Sequence, residues 1–136
     1  LGPELGLERA FYKVAMRPGK PLMAGRMGGA AMVGLPGNPV SAMVCGQVFV
    51  GPMIDAMSGL GARPAPCATA RLAAPLPANG PREHYMRAHL SSGGIEPEDR
   101  QDSSLLSILA RSDALLVRPP DDPAREIGEV VHYLPV

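Results

Sequence analysis

Residues 35–60 read LPGNPVSAMVCGQVFVGPMIDAMSGL. Asn38 is a good N-cap, because its side-chain oxygen can accept from the first orphan amides of a helix, and Pro39 suits the first helical position. From Pro39 to about Met57 the stretch is apolar on nearly all sides. That pattern predicts a buried helix closed by Ser58-Gly59, with the glycine in the left-handed conformation that ends helices. Just upstream, Ala30 to Leu35 is an apolar burst too short for a helix and bounded by glycine, which predicts a buried strand. Strand, Gly-rich turn and helix in that order make one unit of an α/β sheet, whose ligands sit beyond the carboxyl ends of the strands.

Working outward, Phe11 to Met16 reads as a strand stopped by the restriction Pro18 puts on its neighbour. Leu22 to Arg26 reads as a second strand, and Gly28-Gly29 as a turn. Leu60 to Pro66 shifts to Gly, Ala, Arg and Pro, the composition of a linker. Beyond it come short strands at Ala68 to Leu72, His84 to Leu90, Ala114 to Arg118 and Glu129 to Leu134, with one short helix at Ser103 to Ala110. The expected fold is α/β followed by all-β, with a boundary between residues 59 and 60 and a small β-barrel or sandwich after it.

A chain of 136 residues, 46% hydrophobic, holds one ordinary domain or two small unequal ones. Thirteen basic residues balance thirteen acidic ones. No global field draws in nucleic acid or an anionic membrane, and an anion site must be local. Aromatics at 4% leave little for base stacking. Cys45 and Cys67 have neither metal-ligand spacing nor a disulfide framework, which suits a reducing, cytoplasmic setting. The apolar stretch Val40 to Ile54 is short for a membrane span, so none is expected. The chain begins at Leu1 rather than Met and reads as a piece of something longer.

Two turns carry the candidate chemistry. Arg17-Pro18-Gly19-Lys20, with Lys13 further back and Pro21 after it, reads either as a fixed cationic corner or as a solvated surface turn. Pro36-Gly37-Asn38-Pro39-Val40-Ser41 offers either an anion-binding helix N-terminus with a hydroxyl added by Ser41, or a cap whose Ser41 points into packing. His84, His89 and His132 are scattered without ligand spacing, so no metal site is expected from them. Glu96, Glu98, Asp99, Asp121 and Asp122 read as solvated loop residues, and the methionines as adaptable packing.

At these residues the sequence resembles the molybdopterin molybdenumtransferase family, which includes MoeA and the gephyrin E domain. "KVAMRPGKP" and "GLPGNPVSA" carry the resemblance, and "SGL", "YMRAHL" and "QDSSLLSILARSDALLVRP" follow in the family's order. The resemblance implies an enzyme that inserts molybdate into the dithiolene of adenylylated molybdopterin and releases AMP. It implies that residues 1–59 end an α/β domain of the MogA-like, molybdopterin adenylyltransferase type, and that 60–136 form the C-terminal β-barrel domain. By the same likeness Lys13 and Arg17 face substrate phosphates, and Arg17, Lys20, Pro21 and Ser41 help hold molybdate. Pro36, Gly37, Asn38 and Pro39 shape the substrate-binding turn. Arg87 and Ser103 match oxyanion-binding positions of the barrel, where Asp102 and Ser104 stand in place of the family's usual Gly and His.

The family's Mg²⁺-binding acidic residues and its dimerising domain are expected upstream of this chain, so the chain alone is not expected to turn over. Implied partners are molybdate, adenylylated molybdopterin, molybdopterin adenylyltransferase and a second copy in the full-length protein, with neither nucleic acid nor membrane. The alternative is a scaffold or peptide-binding and dimerisation module of the gephyrin type. An unrelated phosphate-binding α/β protein would satisfy the first 59 residues but not the collinear barrel motifs.

Overall fold

A computed structural model of the protein describes residues 6–101, 107 and 110–136. Strands β1 (Leu7–Tyr12), β3 (Met23–Met27) and β4 (Ala30–Gly34) form an antiparallel sheet in the order β1-β3-β4. Gly28, at φ +59°, makes the β3–β4 turn in the left-handed region that suits glycine. The expected strand Phe11 to Met16 is broken. Lys13 takes φ +74°, and its amide donates to the Leu22 carbonyl at 2.9 Å, folding the chain back on itself. Met16–Arg17 then forms a separate strand, β2, in the other sheet. The stretch from Ala30 is a strand but not a buried one: it is the outer strand of a hairpin, exposed at Ala30 and Ala31.

The helix expected from Pro39 to Met57 comes in two α-helical pieces, α1 (Pro39–Cys45) and α2 (Gly51–Met57), joined by a π-helical turn over Gly46–Val50. Pro52 accounts for the wider turn, because it has no N–H to give a carbonyl one turn earlier. The end is as expected. Gly59 sits at φ +81°, its amide donates to Ala56 O at 3.2 Å, and the Leu60 amide reaches Asp55 O at 2.9 Å, the paired bonds of a Schellman closure. The helix is not buried all round. Val40, Ser41, Val44 and Cys45 face the core, while Met43, Ile54 and Met57 are exposed. At 19 residues and a mean hydropathy of 1.4 it is long and apolar enough to cross a membrane by composition. Its buried side instead packs against both parts of the chain.

The second sheet is the barrel. Strands β5 (Ala68–Arg71), β6 (Glu83–Ser91), β7 (Gly94–Pro97), β8 (Ala114–Arg118) and β9 (Val130–Pro135) join β2 in the order β2-β6-β8-β9-β5, with β7 paired to the far end of β6. A bridge between Leu72 and Ile95, with the Ala73 amide donating to Ile95 O at 2.9 Å, brings the β5 end onto β7 and closes the circuit. Gly94 is required there. At φ +124° any Cβ would run into the Arg71 carbonyl oxygen. β7 gave no clear signal in the sequence because it is four residues long and contains Pro97. The expected helix Ser103 to Ala110 falls largely outside the described residues.

Two apolar clusters follow from strand alternation. Ala88, Ala114, Leu116, Ile95, Leu72, Leu76 and Val131 fill the barrel interior. On the opposite faces of β6 and β8, Tyr85 and Leu115 meet Met16, Leu22, Val40, Val44 and Cys45. The second cluster fixes the base of the two turns against the barrel, since burying each of those aliphatic side chains contributes roughly 1.5–3 kcal/mol.

Candidate functional site

β2 pairs in parallel with the start of β6, Met16 opposite Glu83 and Arg17 opposite His84, and the Glu83 amide donates to Ala15 O at 2.9 Å. This pairing sets the turn after β2 beside the residues that enter β6. The N-terminus of α1 packs onto the same corner through Val40 and Val44. Between them opens a cavity of ≈ 670 Å³. Arg17, Pro18, Gly19, Lys20 and Pro21 line one side, Ser41 comes from α1, and Arg82, Asp99 and Gln101 come from the barrel. Three cations thus face one carboxylate.

Four of the sequence-derived site residues, Arg17, Lys20, Pro21 and Ser41, lie on this one cavity. Others do not line it. Lys13 holds its ammonium over the Tyr12 ring, 5.3 Å from the centroid. Arg87 is buried at 1% exposure on β6, where its backbone amide and carbonyl bond the Gln101 side chain, each at 2.9 Å. Pro36 is buried and Gly37 exposed, and neither lines the cavity, nor do Asn38 and Pro39. Ser103, like Asp102 and Ser104, lies outside the described residues.

The helix end differs from the row of orphan amides expected of it. Pro39 has no N–H, the Ser41 amide donates to Asn38 Oδ1 at 3.1 Å, and the Ala42 amide donates to Asn38 O at 2.9 Å. Asn38 is therefore a satisfied cap. The Ser41 hydroxyl also donates to Asn38 Oδ1, at 3.3 Å, the long end of the hydrogen-bond range, and swinging it to a ligand costs little.

Arg82, Asp99 and Gln101 were not singled out by the sequence as cavity residues. Arg82 reaches the cavity only through the β2–β6 pairing, which leaves no local trace. Gln101 is held by three bonds, accepting from the Arg87 amide and donating to the Arg87 and Glu98 carbonyls, the last at 2.8 Å. These bonds pin the wall that carries Asp99. Glu98, expected to be a solvated loop residue, instead contacts His89 Nε2 at 2.6 Å, and that bond, with Asp113 behind it, raises the His89 pKa.

His84, next to the Arg17 turn, is 8% exposed, and its pKa is pushed down to about 4 by burial and then by Arg17, Arg87, Arg118 and Arg82. Between pH 6.5 and about 4 the unfolded chain therefore binds a proton that the folded chain refuses. Stability is expected to fall as pH drops through that window. Urea midpoints measured across it should decline for the wild type and flatten for His84→Gln. His89 acts in the opposite sense above pH 6.5 but is nearly exposed and contributes little. Among the described residues no three His, Cys, Asp or Glu side chains group to hold a metal ion.

A cation-lined cavity between an α/β segment and a barrel is the setting in which the comparisons with known proteins fall. The family described as the MoeA C-terminal region (domain IV) matches residues 69–136, and the probable molybdopterin binding domain matches residues 2–56. The chain belongs to the MoeA family of molybdenum cofactor biosynthesis proteins. It is 38% identical over 122 residues to molybdopterin molybdenumtransferase 2 of Mycobacterium tuberculosis, a match covering 88% of this chain and 30% of that protein. Against molybdopterin molybdenumtransferase of Bacillus subtilis the identity is 30% over 135 residues, 96% of this chain and 31% of that one. A crystal structure of the molybdopterin biosynthesis MoeA protein from Pyrococcus horikoshii shares the fold with a TM-score of 0.79 at 24% identity, over 96% of this chain and 33% of that one. The chain spans about a third of the length of these relatives.

Proposed function

We propose that this chain supplies the oxyanion-holding half of a molybdopterin molybdenumtransferase site, which inserts molybdate into adenylylated molybdopterin with release of AMP. The observation that supports this most is the meeting of Arg17, Lys20, Ser41 and Arg82 on one cavity. Molybdate is a tetrahedral dianion. Fixed cationic and hydroxyl donors replace its water shell without reorganisation, and they hold the metal where dithiolene sulfurs can reach it. Lys20 contributes a point charge, Arg17 and Arg82 planar forks, and Ser41 a hydroxyl that turns away from Asn38. Asp99 limits how much negative charge the cavity accumulates.

The volume exceeds what one oxyanion fills, which leaves room for the phosphate-bearing part of the substrate beside it. Mg²⁺ does not fit the described residues, since Asp99 is a single carboxylate among three cations. A homodimer, supply of substrate by molybdopterin adenylyltransferase, and a cytoplasmic setting belong to the same proposal.

Calorimetric titration with molybdate tests it. Lys20→Ala is expected to weaken binding roughly 10- to 100-fold, the range for losing a charge-assisted bond, while Arg63→Ala in the exposed linker leaves it unchanged. Equal losses in the two variants would mean that only diffuse charge is at work and would overturn the reading. For the reaction, a chimera in which this chain replaces the matching third of the Mycobacterium tuberculosis relative should release AMP only when molybdate is added.

A further inference from the structure

At one end of the barrel the strand register builds a second constellation. Arg17 on β2 is the cross-strand partner of His84 on β6, and His84 is the partner of Arg118 on β8. Directly opposed residues share a face of the sheet, so the three side chains form a row. All three line a separate cavity of ≈ 190 Å³, with Met86 on the barrel side and residues 77–80 as its rim. The rim is fixed, because Asn79 Nδ2 donates to the carbonyls of Arg82 and Pro119 at 2.9 and 2.6 Å. Barrel mouths are common places for small ligands.

Among the described residues, two polar groups in this cavity have no internal partner. Arg118, whose side chain is 3% exposed, uses Nε on Asp122 Oδ2 at 2.5 Å and Nη2 on the carbonyls of Pro77 and Pro123 at 3.1 and 2.9 Å. Among the described residues its Nη1 makes no hydrogen bond, and neither does the ring of the 8% exposed His84. Both groups belong to residues more than nine-tenths buried yet open onto the cavity, so a ligand entering it meets donors that no protein group occupies.

We propose that this barrel-end cavity is a second oxyanion subsite, taking a phosphate-type tetrahedral group with Arg118 Nη1, the His84 ring and Arg17 as its donors. His84 and Arg118 do not line the larger cavity, so the subsite does not depend on the molybdate reading. Arg17 lines both. A ligand carrying two anionic groups would place one on each side of that guanidinium. The charged groups around His84 are Arg17 from β2, Arg82 from the entry to β6 and Arg118 from β8, with Arg87 acting from the opposite face of β6, while Asp122 is engaged by Arg118 and Arg125. An anion between the Arg17 and Arg118 guanidinium groups offsets their repulsion of a protonated imidazole, so binding draws a proton onto His84.

The test is an NMR titration of the His84 ring in the full chain, with and without saturating inorganic phosphate. The His84 pKa is expected to rise by about one unit or more. By calorimetry, His84→Gln should lower phosphate affinity about tenfold and abolish the proton uptake, whereas Arg63→Ala in the exposed linker should leave both intact. A parallel arm with phenyl phosphate separates the two sources of the group. A response to phosphate alone assigns the free ion, and a response to phenyl phosphate assigns a monoester. A His84 pKa unmoved by either overturns the subsite, and this readout on the wild type stands even if the glutamine variant does not fold.

Discussion

Replacing Asp122 with alanine is expected to cost about 3–5 kcal/mol of unfolding free energy, the penalty for stranding a buried charge. The sequence reads Asp122 as a solvated loop residue beside Asp121, and the structure corrects this. Its side chain is 5% exposed, and it receives Arg118 Nε at 2.5 Å and Arg125 Nε at 3.1 Å. Arg118 in turn secures the turn by donating to the carbonyls of Pro77 and Pro123. Without the carboxylate, the Arg118 guanidinium stays inside with nothing to balance it. Urea unfolding of Asp122→Ala checks this, and Glu129→Ala is the control, since its partner Arg125 is a third exposed and such pairs contribute about 0–1 kcal/mol. If the two variants lose equal stability, the buried pair is not the keystone of this turn. Hydrogen bonds from Arg125, and then from Arg118, hold the Asp122 carboxyl below its ordinary value of 3.8. Its contribution is thus complete above that pH and lost as pH falls through the lower, folded value.

Gly19→Ala is expected to destabilise the protein by about 2–4 kcal/mol, combining a left-handed backbone with overpacking. Gly19 has φ +113°, and an added Cβ would lie 2.5 Å from Cys45 Sγ and 3.2 Å from the Met16 side chain. The Met16 thioether end can shift, but the short Cys45 side chain has little room to yield. Cys45 is fully buried, and burial pushes its thiol pKa up to about 11. Because Gly19 lies between Arg17 and Lys20 on the cavity wall, the same substitution should also weaken molybdate binding by spreading the two cations. Adding Cys45→Ala should recover the steric part but not the conformational part. Gly37→Ala, where nothing lies within 4 Å, should be nearly neutral. A neutral Gly19→Ala in thermal melts would mean that the turn is looser than its geometry implies.

Much of the site was legible because its parts are short-range. Asn38, Pro39 and Gly59 act within a few residues of themselves, so the helix start and stop could be read directly. The positions of β5, β6, β8 and β9 also follow from local alternation. Lys13 and Asp122 meet partners close in the chain, Tyr12 for the one and Arg118 and Arg125 for the other, but the positive φ of Lys13, the burial of Asp122 and the burial of Arg87 beside Gln101 come from the fold and leave no local trace. Arg82 and Gln101 lie on the cavity for the same reason.

By itself the sequence determined where the helix begins and ends, the barrel strands β5, β6, β8 and β9, and the turn that carries Arg17 and Lys20, since these depend on capping, φ preference and apolar spacing along the chain. Only the tertiary structure decided that Met16–Arg17 leaves the first sheet to pair with β6. That pairing brings Lys20, Ser41 and Arg82 onto one cavity and sets Arg17, His84 and Arg118 in a row at the barrel end. The reason is physical: the pairing is made of backbone hydrogen bonds between residues more than sixty positions apart, and backbone groups are the same in every residue.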